Sequence, residues 1–115
     1  MLVLLDKNVP FGVARFLREH QVELAEDRGW ALIGNGELIQ AAEAAGFDAV
    51  VTADQNIVYQ QNLKGRAIAL VVLGSNIWPI VRHHAAEIAE RVSSAIPGSY
   101  TFLEMPLPRK PRRGL

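Results

Sequence analysis

Apolar runs rich in β-branched residues alternate with helix-like periodic segments along most of the chain. This alternation is typical of an α/β protein, in which helices cover both faces of a mostly parallel sheet. The first run is apolar throughout, as expected of a central strand that is buried on both sides. The runs that predict strands span residues 2–5, 22–25, 48–52, 68–73 and 100–103.

Four segments between these runs have the periodicity or the terminal residues of helices. Proline suits the first turn of a helix, asparagine is a good N-terminal cap, and glycine commonly ends a helix. Residues 26–34 carry mixed charges, two glycines and a tryptophan, and they predict a loop. Four helices are predicted. The first begins at Pro10, the second runs from about Asn35 to Gly46, the third covers Gln55–Leu63, and the fourth extends from Pro79 to about Ala95.

The composition indicates a single-domain protein and excludes some kinds of metal and disulfide site. A chain of 115 residues, half of them apolar, suits a single domain with one hydrophobic core. Because there is no cysteine, a disulfide framework and a thiolate metal site are excluded, and any metal would be held by oxygen or imidazole. The longest apolar runs are too short to cross a bilayer and the start lacks signal-peptide features, so we expect a cytoplasmic protein without membrane contact.

The formal charge is zero but unevenly distributed. Four basic residues crowd the last seven positions, and we expect residues 105–115 to form a flexible, basic, proline-rich tail behind a domain of residues 1–104. Because these four basic residues lie in the tail, the rest of the chain has a negative net charge. The tail could bring a polyanion close to this acidic domain, although a solvated terminus is the simpler interpretation. The four basic residues are Arg109, Lys110, Arg112 and Arg113.

Polar residues follow three of the predicted strands, at the point where each strand ends. In an open parallel sheet, ligands bind in the crevice beyond the carboxyl ends of the strands. Glu37, in the first turn of the second helix, would lie at the same edge if that helix packs back in the right-handed sense. The polar segments are Asp6-Lys7-Asn8, Asp54-Gln55-Asn56 and Gly74-Ser75-Asn76.

This arrangement predicts a site for a hard divalent cation. Carboxylates that pack together repel one another unless a cation compensates, and Mg²⁺ or Mn²⁺ prefers carboxylate, carbonyl and water oxygens. We therefore predict Asp6, Glu37 and Asp54 as metal ligands and catalytic residues, with Asn8, Asn56 and Ser75 in support. The alternative remains open that Asp6 and Asp54 only cap helices and that Glu37 only responds to the helix dipole.

Three ordered motifs resemble a known family. The sequences LLDKNVP at residues 4–10, NGEL at residues 35–38 and VTADQN at residues 51–56 are similar to those of PIN-like proteins, small bacterial proteins often encoded as toxins of toxin–antitoxin pairs. The similarity covers residues 1–104. It implies a three-layer α/β/α sandwich of about five strands, metal-dependent endoribonuclease activity on RNA, and an antitoxin partner, and we also consider a homodimer.

The resemblance also assigns site residues. It places Asp6 at the first acidic position of the family, Asn35 and Glu37 at the helix start, and Asp54 and Asn56 at the strand end. Asn35 and Asn56 stand where such proteins commonly carry aspartate, and we expect Asn35 to be a helix cap rather than a ligand. Three carboxylates do not balance two divalent ions, so one tightly held metal is favoured over two unless substrate phosphates supply the missing charge. A catalytically weakened relative of the family remains an alternative.

Other residues have candidate roles by position alone. Lys7, Lys64, Arg66 and Arg82 are candidates for contacts with RNA phosphates. The neighbouring His83 and His84 are expected to be surface residues, since adjacent helical positions point about 100° apart.

Two other functions compete with the nuclease. One is a PIN-like binding module whose asparagines have weakened the metal site. The other is a receiver-type phosphoacceptor domain, which also places aspartates after its first and third strands. The receiver pattern uses adjacent acids after the first strand, whereas Lys7 follows Asp6 in this chain.

Overall fold

A computed structural model describes residues 1–57 and 63–107 and contains one five-stranded sheet. All neighbouring strands are parallel. The strands are β1 (Leu2–Leu5), β2 (Gln21–Leu24), β3 (Ala49–Thr52), β4 (Ala69–Leu73) and β5 (Tyr100–Leu103). Their order across the sheet is β2-β1-β3-β4-β5, with helices on both faces, which confirms the predicted three-layer α/β/α architecture.

The prediction of a single core is wrong, because each face of the sheet packs against a separate core. The central strands are therefore apolar on both faces. Successive side chains of a strand point to opposite faces of the sheet. Leu5 and Val71 therefore belong to one core, whereas Leu4 and Leu70 belong to the other. Every residue of β3 and β4 is buried, as the continuous apolar runs predict.

Three α-helices and two 3₁₀ helices complete the described fold. The first 3₁₀ helix, α2 and α3 pack on one face of the sheet, and α1 packs on the other. None of the helices within the described residues has the length and apolar character needed to span a bilayer. The elements are α1 (Asn35–Ala44), α2 (Trp78–His83), α3 (Ala85–Ser93) and 3₁₀ helices at Phe11–Leu17 and Ala25–Arg28.

The prediction of one long helix from Pro79 to Ala95 is wrong, because the structure has two helices that are separated at His84. His84 is only 7% exposed, and its imidazole lies within hydrogen-bond distance of a Glu87 carboxylate oxygen and the Pro106 carbonyl oxygen, both at 3.1 Å. The prediction that both histidines lie on the surface is therefore wrong for His84, whereas His83 is exposed. The apolar periodicity continues through the break, so the sequence pattern does not reveal it.

Other boundaries differ from the predictions in smaller ways. The segment after Pro10 forms a 3₁₀ helix, and a second 3₁₀ turn occupies the start of the predicted loop at residues 26–34. Of the predicted helix at residues 55–63, residues 58–62 lie outside the described residues. Of the predicted tail, residues 108–115 also lie outside them, while Met105 is buried against the core.

Candidate functional site

The candidate site lies at the carboxyl edge of the sheet, where β1 and β3 end side by side. Asp6 directly follows β1, and its backbone N–H donates to the carbonyl oxygen of Val51 in β3 at 2.9 Å. This bond extends the strand pairing by one residue beyond β1. The side chain of Asp6 is therefore positioned beside the last residue of β3, Thr52.

Asp6 is a buried carboxylate, with 7% of its surface exposed. Its Oδ2 accepts a hydrogen bond from the Thr52 hydroxyl at 2.8 Å, and its Oδ1 accepts one from the backbone N–H of Lys7 at 2.7 Å. Within the described part of the chain, no Lys, Arg or His side chain forms an ion pair with Asp6 or Asp54. The described hydrogen-bond partners of the Asp6 side chain are therefore both neutral groups.

Thr52 connects the two aspartates. It is fully buried, and its Oγ1 both donates to Asp6 and accepts from the backbone N–H of Asp54 at 3.1 Å. The Oδ1 of Asp54 accepts the backbone N–H of Asn56 at 2.9 Å, which is the geometry of an Asx turn. One hydroxyl thus holds the ends of β1 and β3 in a common hydrogen-bond network.

The start of α1 joins this network from the other side. Gly34, rather than Asn35, occupies the N-cap position, and no side chain caps the helix there. The predicted capping role of Asn35 is therefore wrong, because its Nδ2 instead donates to the Oδ2 of Asp54 at 2.6 Å. This bond brings the first turn of α1, with its unpaired backbone N–H groups, to the carboxyl edge of the sheet.

Glu37 lies in that first turn but does not join the network. Its side chain is exposed and makes no hydrogen bond or ion pair with another described residue. Across residues 1–57 and 63–107, no three His, Cys, Asp or Glu side chains form a group able to hold a metal ion. The network therefore contains two of the three predicted acidic ligands, Asp6 and Asp54.

The supporting residues order the loops around the site. The Oδ1 of Asn8 accepts the backbone N–H of Ala53 at 3.0 Å, which ties the loop after β1 to the end of β3. The Oγ of Ser75 accepts the backbone N–H of Ile77 at 3.1 Å, within the loop after β4. Asn56 reaches Asp54 through its backbone, and its side chain is exposed.

The four candidate phosphate contacts are divided between the two edges of the sheet. Lys7 is exposed beside Asp6, and Arg82 is exposed on α2. Lys64 and Arg66 instead precede β4 and lie at the amino edge, where Arg66 pairs with Glu43 at 2.9 Å. The structure therefore brings only Lys7 and Arg82 to the side of the molecule where the aspartates lie.

Thr52 is a residue of the site that the sequence motifs did not indicate. It ends an apolar strand two residues before Asp54, so a hydroxyl at the end of a strand expected to be buried was a usable signal. A buried polar side chain needs hydrogen-bond partners, and the polar loops after the strands were the nearest source of them.

The fold and the site define a class of protein. The chain is an open parallel α/β sheet protein with a hydrogen-bonded acidic site beyond the carboxyl ends of neighbouring central strands. Comparisons with models of protein families, with curated proteins and with solved structures found no match. Membership of the PIN-like family therefore stays a prediction from the three sequence motifs.

Proposed function

We propose that this protein is a metal-dependent endoribonuclease that holds one Mg²⁺ or Mn²⁺ ion at Asp6 and Asp54. The observation that carries the proposal is the pair of linked aspartates at the carboxyl edge, one of them buried, neither of which forms an ion pair with a cationic side chain among the described residues. The resemblance of residues 1–104 to PIN-like proteins supports RNA as the substrate. The role as a toxin with an antitoxin partner stays a prediction.

The donor set suits a hard cation. Mg²⁺ is commonly held by one or two carboxylates and keeps several waters. Each oxygen of Asp6 and Asp54 accepts one described hydrogen bond, which leaves lone pairs for a cation. Glu37 is exposed and makes no hydrogen bond or ion pair with Asp6, Asn35 or Asp54, so its predicted role as a third ligand stays a prediction.

The residues of the chain would position and orient the reacting groups. A bound divalent cation would supply charge for a phosphodiester oxygen and would activate a water for attack on phosphorus. Thr52 fixes the orientation of Asp6, and Asn35 fixes that of Asp54. The backbone N–H groups in the first turn of α1 provide a favourable environment for a phosphate.

A cleavage assay on single-stranded RNA tests the proposal. We expect wild-type protein to cut RNA with Mg²⁺ or Mn²⁺ and to lose this activity in EDTA. Asp6→Asn and Asp54→Asn should each lower the rate by about 100-fold or more, because the metal supplies several kcal/mol of stabilisation to the transition state. Asp48→Asn is the matched control, since Asp48 precedes β3 at the amino edge and should leave the rate unchanged.

Two results would contradict the nuclease. One is the absence of metal-dependent cleavage by clean wild-type protein at every divalent concentration tested. The other is an Asp6→Asn variant that cuts RNA as fast as the wild type, since the activity would then come from a contaminant or from another site.

A non-catalytic binding module is the second candidate function. The observation that favours it is the 2.6 Å bond from Asn35 to Asp54, because this donor satisfies an oxygen that a metal would otherwise use. Calorimetric titration with Mn²⁺ separates the two functions. Absence of binding at millimolar Mn²⁺ would support the module, whereas binding that Asp6→Asn removes would support the nuclease.

A further inference from the structure

A groove of about 350 Å³ opens on the surface near the candidate site. Its walls combine aromatic rings, a glycine, a proline and one guanidinium group. The lining residues are Pro10, Phe11, Gly12, Arg15 and Trp78.

The groove and the acidic site share the carboxyl edge of the sheet. Pro10 is two residues beyond Asn8, and consecutive Cα atoms are ~3.8 Å apart, so the two residues lie within roughly 8 Å of each other. Trp78 is the first residue of α2, which follows the loop at the carboxyl end of β4. A strand of nucleic acid lying across this edge could contact both features at once.

Trp78 forms a rigid wall of the groove. Its ring stacks on Phe16, with centroids 5.7 Å apart and an angle of 10° between the planes. A Cβ atom at Gly12 would lie 2.5 Å from Cη2 of Trp78, so only glycine allows the indole to approach the backbone this closely. The position of the indole is therefore set by its surroundings before any ligand binds.

Phe11 provides a second aromatic side chain in the groove. Its side chain is not part of either hydrophobic core. Its side chain is 75% exposed, unlike Val13 and Leu17 in the same 3₁₀ helix, which are buried. An exposed aromatic ring beside a rigid indole offers a flat ligand two surfaces for stacking.

Arg15 adds a positive charge to the groove. It is exposed, and within residues 1–57 and 63–107 it forms no ion pair with a carboxylate. A guanidinium group can bind a phosphate through two parallel hydrogen bonds and can also stack on a base. Aromatic rings together with an available arginine match the composition of single-strand nucleic-acid sites, in which bases stack and phosphates pair with cations.

We propose that this groove binds an unpaired base of single-stranded RNA, which stacks against Phe11 and Trp78 while Arg15 contacts a neighbouring phosphate. The inference rests on the proposed function, because it specifies how the RNA substrate would be held beside Asp6. A duplex would not enter the groove, since its bases are already stacked and paired.

Tryptophan fluorescence provides a direct test. The chain has two tryptophans, so a Trp30→Phe background leaves Trp78 as the single reporter. Titration with a short single-stranded oligoribonucleotide in EDTA measures binding without cleavage. We expect the RNA to quench Trp78 fluorescence, and a duplex of the same sequence to quench it much less.

Substitutions at Phe11 test stacking separately from apolar contact. One stacked base contributes about 1–3 kcal/mol, so Phe11→Ala should raise Kd roughly 5- to 100-fold. Phe11→Leu should behave like Phe11→Ala, and Phe11→Tyr should bind like the wild type. The matched control is Ile96→Ala, which replaces an apolar residue that is 66% exposed and precedes β5 at the opposite edge.

Arg15→Gln tests the phosphate contact. Loss of one phosphate contact should reduce the dependence of log Kd on log salt concentration by about one unit or slightly less. Because Arg15 and Phe11 are both exposed, neither substitution should alter the fold, and circular dichroism checks this.

The inference is overturned if RNA does not quench Trp78, or if Phe11→Ala and Phe11→Leu bind RNA as the wild type does. It is also overturned if Phe11→Ala leaves RNA binding intact but turns a dimer into a monomer, since the groove would then be a contact between copies. Quenching that is lost in Phe11→Ala, without any metal-dependent cleavage, would contradict the nuclease but support the groove. Cleavage by Phe11→Ala with unchanged KM would contradict the groove but support the nuclease.

Discussion

At the scale of single residues, Thr52 has the largest structural role in the candidate site. Its hydroxyl donates to Asp6 and accepts from the backbone of Asp54, so it links the ends of two parallel strands. It does so without contributing a charge. The aspartates are therefore held in position by a neutral group.

Thr52→Val should remove these two hydrogen bonds while nearly preserving the volume of the side chain. We expect the free energy of unfolding to fall by about 1–3 kcal/mol, because Asp6 loses a buried donor and the backbone N–H of Asp54 loses its acceptor. The affinity for Mn²⁺ should fall about 10- to 100-fold, as is usual when a residue that orients a metal ligand is removed. Urea unfolding and calorimetry measure the two effects.

Thr101→Val is the matched control. Thr101 also lies in a strand, β5, and no described side chain or backbone group forms a hydrogen bond with its hydroxyl. Its substitution should change the free energy of unfolding by at most about 0.5 kcal/mol. Equal effects of the two substitutions would show that the Thr52 hydroxyl has no special role in the site.

At the scale of elements, the break between α2 and α3 ties the helices to the segment that follows β5. His84 contacts Glu87 on α3 and the Pro106 carbonyl beyond β5, and its ring lies edge-on to His83, with centroids 5.2 Å apart. Burial by itself lowers the pKa of His84, but the hydrogen bonds to Glu87 and to the Pro106 carbonyl outweigh it, so the pKa is raised. The charged imidazole can donate to both acceptors at once.

This raised pKa predicts a pH-dependent stability. A group whose pKa is higher in the folded state stabilises the fold fully below its unfolded pKa of about 6.5, and the contribution is lost as the pH rises through the folded pKa. The free energy of unfolding should therefore fall as the pH rises above about 6.5. Glu87→Gln should reduce this fall, because it removes the negative partner of His84.

Glu90→Gln is the control for that measurement. Glu90 is also an exposed residue of α3, and its side chain makes no contact with His84 among the described residues. Urea unfolding at a series of pH values should give the same pH dependence for Glu90→Gln and the wild type. An unchanged dependence in Glu87→Gln would contradict the assigned role of the His84–Glu87 contact.

At the scale of the whole molecule, one sheet separates two cores. Trp78 packs against the core that contains Leu5 and Val71, and Trp30 packs against the core that contains Leu4 and Leu70. Since alternate residues of the same strands enter both cores, neither core can lose its packing while the other keeps its full set of contacts.

The two tryptophans should therefore report one cooperative unfolding transition. Trp30→Phe leaves only Trp78, and Trp78→Phe leaves only Trp30, so each variant follows one core. In each variant, we expect the fluorescence midpoint in urea to coincide with the midpoint from circular dichroism. A fluorescence transition that precedes the loss of secondary structure in one variant would show that its core unfolds separately.

The strands were the most predictable part of the fold. β1 and β5 occupy the residues expected of them, and β3 and β4 differ from the predictions by one residue at their starts. Apolar runs identify buried strands because burial on both faces leaves no position for a polar side chain. The helices were less predictable, since the break at His84 depends on a contact with residue 106, which the local pattern cannot show.

The sequence by itself determined the α/β architecture and the placement of Asp6 and Asp54 just beyond the ends of two strands, because both follow from local patterns of apolar and polar residues. Only the tertiary structure made these two strands neighbours and decided which side chains meet there. It placed Thr52 between the aspartates, turned Asn35 toward Asp54, left Glu37 exposed, and placed Arg66 at the opposite edge. These contacts join residues far apart in the chain, so they depend on the packing of whole elements rather than on any local pattern.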